Sequence, residues 1–301
     1  EGADARPPTG GQAAMLTLAE LVDSRYPFPL AWSHRAQQFA VSGHNRWFQL
    51  SQLIDATCRY LIAVGMAASE HVAPHDLPPA LRDVLPKLSR AALGTRLRAA
   101  IAFEDWFAAD PEQASCRVVA EALARSQARH PRKRKQLRER LWQLVEARND
   151  TYGHGAYIGG EDEYQLHIHT MTDWLDMLRP LAEFPLVWPN PETLRVLRGD
   201  RTRFSARVLM GSHTLWPVAE YEVAARVGRD IVLLDSHGGA LTLEPWLLGA
   251  ACPTCRRESL WAYESHKQGQ LRLRELGGNH DHRIDIDATM ADALARIPAT
   301  G

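Results

Sequence analysis

Leu137-Arg138-Glu139-Arg140-Leu141-Trp142-Gln143-Leu144-Val145-Glu146-Ala147-Arg148-Asn149-Asp150-Thr151-Tyr152-Gly153-His154-Gly155 is the stretch on which the reading of this chain turns. Leu137, Leu141, Leu144 and Val145 recur at helical spacing and define one apolar stripe, which predicts a helix from Arg134 to about Asp150. Arg148 is the next position on that stripe. A charge placed there must be paired or put to use, because burying it alone is very costly. His154 lies six residues further on, in a Gly-rich break from Gly153 to Gly160.

Working outward, the pattern stays helical from Leu16 to about Leu197. Ser42-Gly43-His44-Asn45 marks the start of a helix whose apolar face carries Trp47, Leu50, Leu53, Ile54, Cys58, Leu61, Val64 and Met66. His71 to Pro86 holds four prolines and reads as a loop with at most short helical turns. A second helix follows with Leu93, Leu97, Ala100, Ile101, Phe103 and Phe107 on one side. Asp110-Pro111-Glu112 is expected to provide the N-cap and first-turn proline of a third, Ser115 to Gln127. After the Arg134 helix, a fifth runs from Glu161 with Tyr164, Ile168, Met171, Leu175 and Leu178 inward. Trp47, Trp106, Trp142 and Trp174 fall within these patterns and are assigned to the core.

Past Pro185, Pro189 and Pro191 a short helical segment is expected, and the composition then turns to β. Strands are read at Arg207–Met210, Tyr221–Val227, Ile231–Leu234 and Ala240–Leu243, separated like hairpins by Gly228-Arg229-Asp230 and by Asp235 to Gly239. A further hairpin joins Leu260–Tyr263 to Leu271–Leu273 around Lys267-Gln268-Gly269, and a last helix spans Met290–Ile297. The expected class is α+β. Residues 1–14 form a disordered leader, 15–200 a helical bundle, 201–287 a small antiparallel β module, and 288–301 a C-terminal helix and tail.

The 301 residues include 35 Lys and Arg against 36 Asp and Glu, so no overall field draws the chain onto nucleic acid or anionic lipid, and such binding must be local. Four cysteines, with only Cys252 and Cys255 close together, suit a reducing compartment rather than a disulfide scaffold. No apolar run approaches the ~20 residues of a membrane span, and no signal peptide is read, so a cytoplasmic location without membrane contact is expected. The start at Glu1 rather than Met suggests a piece of something longer. The motifs of P-loop NTPases, α/β-hydrolases and zincins are absent.

An Arg at the end of an amphipathic helix, an Asn directly after it, and a His six positions on in a Gly-rich turn before another long helix resemble the HEPN (higher eukaryotes and prokaryotes nucleotide-binding) superfamily. Its R-x(4-6)-H motif sits late in a four- or five-helix bundle. The resemblance covers Leu16 to Leu181 as architecture and Arg148, Asn149 and His154 as motif. It implies a metal-independent endoribonuclease in which the RNA 2′-OH attacks the adjacent phosphorus, leaving a cyclic phosphate and a 5′-OH. Under that reading His154 is the general acid or base, Arg148 holds the phosphate and its developing charge, and Asn149 orients one of them. The resemblance also implies a homodimer, tRNA or mRNA as substrate, and a toxin or antiphage-defence role with an antitoxin or sensor partner. Ala156 stands where toxins silenced by a nucleotidyltransferase carry a Tyr, so that particular partner is not expected. The competing reading is a non-catalytic HEPN-like module that binds nucleotide or protein and regulates a larger system. Arg148 is then merely ion-paired with Glu146, Asp150 or a bundle carboxylate.

Two further features bear on function. Arg129 to Arg140 holds seven basic residues and one acidic, and Arg132, Lys133, Arg134, Lys135 and Arg138 are candidates to bind RNA phosphates. Cys252-Pro253-Thr254-Cys255 is half of a zinc knuckle. Closing it takes histidines such as His266, His280 or His282, or ligands from another subunit. His280 with His282 would give a structural zinc held by two cysteines and two histidines. Two reduced cysteines in a turn are the alternative, and a zinc-ribbon adaptor in which the bundle only dimerises is a third functional reading. No cofactor is expected for catalysis.

Overall fold

The computed structural model describes residues 16–90, 92–128, 131–153, 160–199, 201–276 and 280–295. The expected leader over residues 1–14 lies outside them, as do Arg129, His154, Ala156 and the end of the C-terminal tail. Eight α-helices open the described chain: α1 (Leu18–Arg25), α2 (Phe28–Gln38), α3 (Gly43–Ala68), α4 (Pro79–Val84), α5 (Leu93–Ala109), α6 (Arg117–Ala128), α7 (Pro131–Gly153) and α8 (Glu161–Met177). No helix among the described residues is long and apolar enough to cross a membrane.

The longest of them, α3, begins where the sequence places it: Ser42 Oγ accepts the Asn45 N–H at 3.3 Å. It is buried along most of its length, with α2 and α5 packed against it. Gly65 permits the close approach of α5, since a Cβ there would stand 2.3 Å from the Phe103 ring. On α7, Leu137, Leu141, Leu144 and Val145 are buried as the stripe predicts. Asp110 is the exception among the helix signals. Its side chain caps nothing, Pro111–Gln113 forms a separate 3-10 turn, and α6 starts only at Arg117.

Two antiparallel sheets follow. The first contains β1 (Leu186–Pro189), β2 (Arg195–Val196), β3 (Thr202–Val208), β4 (Val218–Val223), β5 (Val232–Leu234) and β6 (Ala240–Thr242). The second contains β7 (Leu247–Ala251), β8 (Glu258–Lys267), β9 (Gln270–Leu276) and β10 (Asp281–Asp285) in the order β10-β9-β8-β7, and α9 (Ala288–Leu294) closes the described chain. The helical segment expected past Pro185 is confined to the 3-10 turn Pro191–Thr193, whereas Leu186–Pro189 is a strand in the middle of the first sheet. Four residues are too few to show alternation, and Pro189 is tolerated because it ends the strand. Because β1 lies between β3 and β5, Gly228-Arg229-Asp230 links strands that do not pair and is not a hairpin turn. Asp235 to Gly239 is one, with Asp235 Oδ1 accepting the His237 and Gly239 N–H groups at 2.7 and 2.8 Å. So is Gln268-Gly269, where φ of 52° and 76° gives the paired left-handed conformation of a two-residue turn.

The helices share one core with residues of both sheets, and the first sheet carries a second, smaller cluster around Val187, Phe204 and Val232. The Phe28 N–H donates to the Leu209 carbonyl at 2.8 Å and the Gly211 N–H to the Tyr26 carbonyl at 2.7 Å. Between α3, α5 and β8 lies a buried ion network. Arg59 donates to Asp55 and Glu264, both at 2.8 Å, and to the Tyr263 carbonyl at 2.9 Å, while Arg96 reaches Asp55 at 2.6 Å. Burial alone would raise the Asp55 pKa, but the two guanidinium groups outweigh it and hold the carboxyl below its ordinary range.

Candidate functional site

Arg148 sits on the last turns of α7 and is half-buried, unlike Leu144 one turn earlier, which is wholly enclosed. Its Nη1 donates to the Asn149 side-chain oxygen at 3.1 Å, and Asn149 is exposed. The helix therefore carries the stripe to its end and turns the last member of it toward the surface. Two of the three predicted catalytic residues are thus placed side by side at a helix terminus. His154 lies outside the described residues.

The predicted phosphate-binding residues divide into two groups. Arg134 and Arg138 both turn onto the Asp105 carboxylate of α5, Arg138 at 2.7 Å, and so tie α7 to α5. Arg132, Lys133 and Lys135 are exposed. At 100° per residue Arg132 and Lys135 point about 160° and 140° round the helix from Arg148, and Lys133 only about 60°. The linear cluster does not make one face; Arg134, at about 40°, shares a side with Arg148 but is turned onto Asp105, which leaves Lys133 as the exposed member on that side.

At the far end of the second sheet, Cys252, Cys255 and His280 bring their ligand atoms within 4.8 Å of one another. The chain geometry explains the convergence. Cys252 ends the β7 side of a tight turn into β8, with its N–H donating to the Arg257 carbonyl at 2.7 Å and its carbonyl accepting the Arg256 N–H at 2.8 Å. Arg256, with φ 63°, makes the reversal. Burial pushes the Cys252 thiol up, but backbone N–H groups of Cys255 and Thr254 pointing at Sγ, together with Cys255 and His280, bring it below its ordinary value. The cluster can hold a metal ion. Of the histidines named from sequence, His280 joins it, with Nδ1 3.3 Å from Cys252 Sγ. His282 does not: its ring stands edge-on to Trp261 with centroids 5.2 Å apart. His266 is buried with Nδ1 3.0 Å from the Tyr263 hydroxyl.

A third feature left no mark in the sequence pattern. Between the sheets is a cavity of about 650 Å³ lined by Trp188, Arg207, Asp230, Glu244 and Glu258 among others. Arg207 lies over the Trp188 ring at 5.2 Å and pairs with Glu258 at 2.8 Å. Burial, then a hydrogen bond with Asp230 and its charge, raise Glu244 to about 8. Asp230 and Glu244 are 14 residues apart on separate loops, which is why spacing did not flag them.

Comparison with protein-family models, with curated proteins and with solved structures gives no match to this chain.

Proposed function

We propose that this chain is a metal-independent endoribonuclease of the HEPN type, acting as a homodimer on tRNA or mRNA in a toxin or antiphage-defence setting. The observation that carries the reading is the placement of Arg148. It is a half-buried guanidinium at the end of an otherwise apolar stripe, hydrogen-bonded to Asn149, five residues before the break that contains His154. A planar fork of donors in that position suits a phosphate, whose charge grows as the 2′-oxygen attacks phosphorus. His154 takes the 2′-OH proton or returns one to the departing 5′-oxygen, and imidazole titrates in the range where both are feasible. The bond formed is 2′-O–P, the bond broken is P–O5′, and no metal enters the step. Lys133, on the same side of α7, is the exposed cation best placed to meet the flanking phosphate backbone. In the β module, Cys252, Cys255 and His280 hold a structural zinc whose role is to fix the turn between β7 and β8.

The test is cleavage of total tRNA and of a long single-stranded RNA in EDTA, once circular dichroism has shown that EDTA leaves the fold unchanged. Wild type is compared with Arg148→Ala and His154→Ala. Metal-free cleavage that leaves cyclic phosphate ends and vanishes in both variants is the expected result. Activity retained by both variants overturns the assignment of residues. Absence of cleavage in all three proteins, with RNA or nucleotide still bound, replaces the nuclease by the non-catalytic regulatory module.

A further inference from the structure

We propose that Cys252 and Cys255 are a reversible oxidation site, at which peroxide joins the two thiolates as a disulfide and the metal they hold with His280 departs. The proposal rests on the reading that this cluster binds zinc. Its ground is the topology of the second sheet. Cys252 follows β7 and His280 precedes β10, and these strands are the two edges of the order β10-β9-β8-β7. Each residue occupies the rung beyond the last of its ladder, since the Cys252 N–H donates to the Arg257 carbonyl at 2.7 Å and the Glu275 N–H to the His280 carbonyl at 3.1 Å. Three strand spacings of ~4.8 Å would part the edges of a flat sheet by about 14 Å. The ligand atoms nevertheless lie within 4.8 Å of one another, with His280 Nδ1 3.3 Å from Cys252 Sγ. This end of the sheet is therefore curled, and a metal there ties one edge to the other.

A disulfide within the turn replaces that tie by a local one. The Cys252 carbonyl accepts the Arg256 N–H at 2.8 Å, and in a turn closed that way Cα atoms three residues apart stand about 5 Å from each other. Disulfides take Cα separations of about 4.4 to 6.8 Å. The two sulfurs differ in access. Cys255 is exposed and Cys252 is wholly buried, so peroxide meets Cys255 first, and Cys252 stands behind it to resolve the product. The Cys255 sulfur attacks one peroxide oxygen, the O–O bond breaks, and hydroxide leaves and takes up a proton as water, with a sulfenic acid on Cys255. The Cys252 sulfur then forms the S–S bond, and the S–O bond breaks to release a second water. Two electrons pass from the sulfurs to the peroxide, and neither sulfur keeps the negative charge that held zinc. Glu275 receives the freed imidazole, since its Oε2 stands 3.0 Å from His280 Nδ1. A thiol reductant returns the two electrons and restores the ligands. Cys58 and Cys116 take no part, because both are buried and burial pushes their thiols up, that of Cys116 to about 12.

The full chain, loaded with Zn2+, is treated with hydrogen peroxide while a zinc-binding dye follows the metal and peptide mass spectrometry follows the cysteines. The expected result is a loss of two hydrogens per chain, located to a Cys252–Cys255 disulfide, with one zinc released for each disulfide and both changes reversed by dithiothreitol and Zn2+. Hydrogen exchange is expected to quicken about tenfold or more at the β10 amides, which lose their tie, and to stay within about threefold in β8. The bond is located in wild-type peptides, so the result does not depend on a variant that folds. Cys255→Ser is expected to form no disulfide. Zinc that stays bound under peroxide, or sulfinic acid in place of the disulfide, overturns the proposal and leaves the zinc reading standing. Release of zinc with β10 exchange unchanged overturns the tie between the edges. Protein that takes up no Zn2+ removes the zinc reading itself, and the proposal falls with it.

Discussion

Arg59 on α3 and Arg148 on α7 are both arginines on the apolar stripe of an amphipathic helix, and the fold treats them oppositely. The Arg59 side chain is 4% exposed, ringed by Asp55, Glu264 and the Tyr263 carbonyl, and it binds the helices to the second sheet. Arg148 stays at the surface end of its helix beside an amide. A charge that breaks an apolar stripe in mid-helix is enclosed by carboxylates from elsewhere in the chain, whereas Arg148, near the end of its helix, is only half-buried. Position along the helix, not residue type, separates the structural arginine from the candidate functional one.

The largest effect that could break this contrast is on stability. Arg59→Ala leaves the Asp55 and Glu264 carboxylates to Arg96 alone, and loss of one member of a buried network costs about 3 to 5 kcal/mol. Arg148→Ala should cost under ~1 kcal/mol, as surface positions do. Urea denaturation of both variants checks this. A small loss for Arg59→Ala, or a large one for Arg148→Ala, would mean that the two arginines do the same work.

Next comes activity, where the order inverts. Arg148→Ala is expected to lower RNA cleavage by ~10²-fold or more, the usual loss when a donor to a developing oxyanion is removed. Arg59→Lys should leave cleavage within a few-fold wherever it remains folded. Rates measured well below the melting temperature of each variant make the comparison fair. Equal losses would tie catalysis to fold integrity and dissolve the distinction.

A third measurement extends the contrast to acids. Asp55 sits between two guanidinium groups and is held ionised, while Glu244, beside Asp230, is raised to about 8. A carboxyl with a raised folded-state pKa supports the fold below its unfolded value, and that support is lost as pH climbs through the folded one. Glu244→Gln, which mimics the protonated form, should therefore be neutral near pH 5 and stabilising by about 1 to 2 kcal/mol near pH 9, a figure reduced because the group is half-exposed. Melting curves at the two pH values decide. An effect that is the same at both, or larger at pH 5, contradicts a raised Glu244.

How much of this was legible in the chain follows from the range of the forces involved. Helix α3 with its Ser42 cap, the α7 stripe and the Gln268-Gly269 turn are local consequences of periodicity and backbone preference, and the residues announce them. Strand β1 was not legible, because Leu186–Pro189 is short, ends in proline and gains its place from partners 17 to 47 residues later, from Pro189 opposite Ala206 to Leu186 opposite Leu233. The candidate sites split in the same way. Arg148-Asn149 and Cys252-x-x-Cys255 are contiguous and were read directly, and His280 was named with them. His282 was chosen beside His280 because which of the two turns to the cysteines rests on strand register and on the Trp261 ring, neither of which is written in spacing.

The smallest effect sharpens the contrast within α7 itself. Arg134 and Arg138 share Asp105, whose side chain is 48% exposed, so their ion pairs stand in water on one side and are worth about 0 to 1 kcal/mol. Arg134→Ala should thus shift stability slightly, by less in high salt than in low. Because its charge is already answered by Asp105, the same change should leave the salt dependence of RNA binding nearly unaltered. Lys133→Ala should do the reverse, leaving stability alone and reducing the slope of log affinity against log salt by about 1, the signature of one lost phosphate contact. Filter binding over a range of salt, beside thermal melts, separates the two. If Arg134→Ala lowers the slope as much as Lys133→Ala, then RNA displaces Asp105, and the basic run works as one phosphate-binding surface despite its internal pairing.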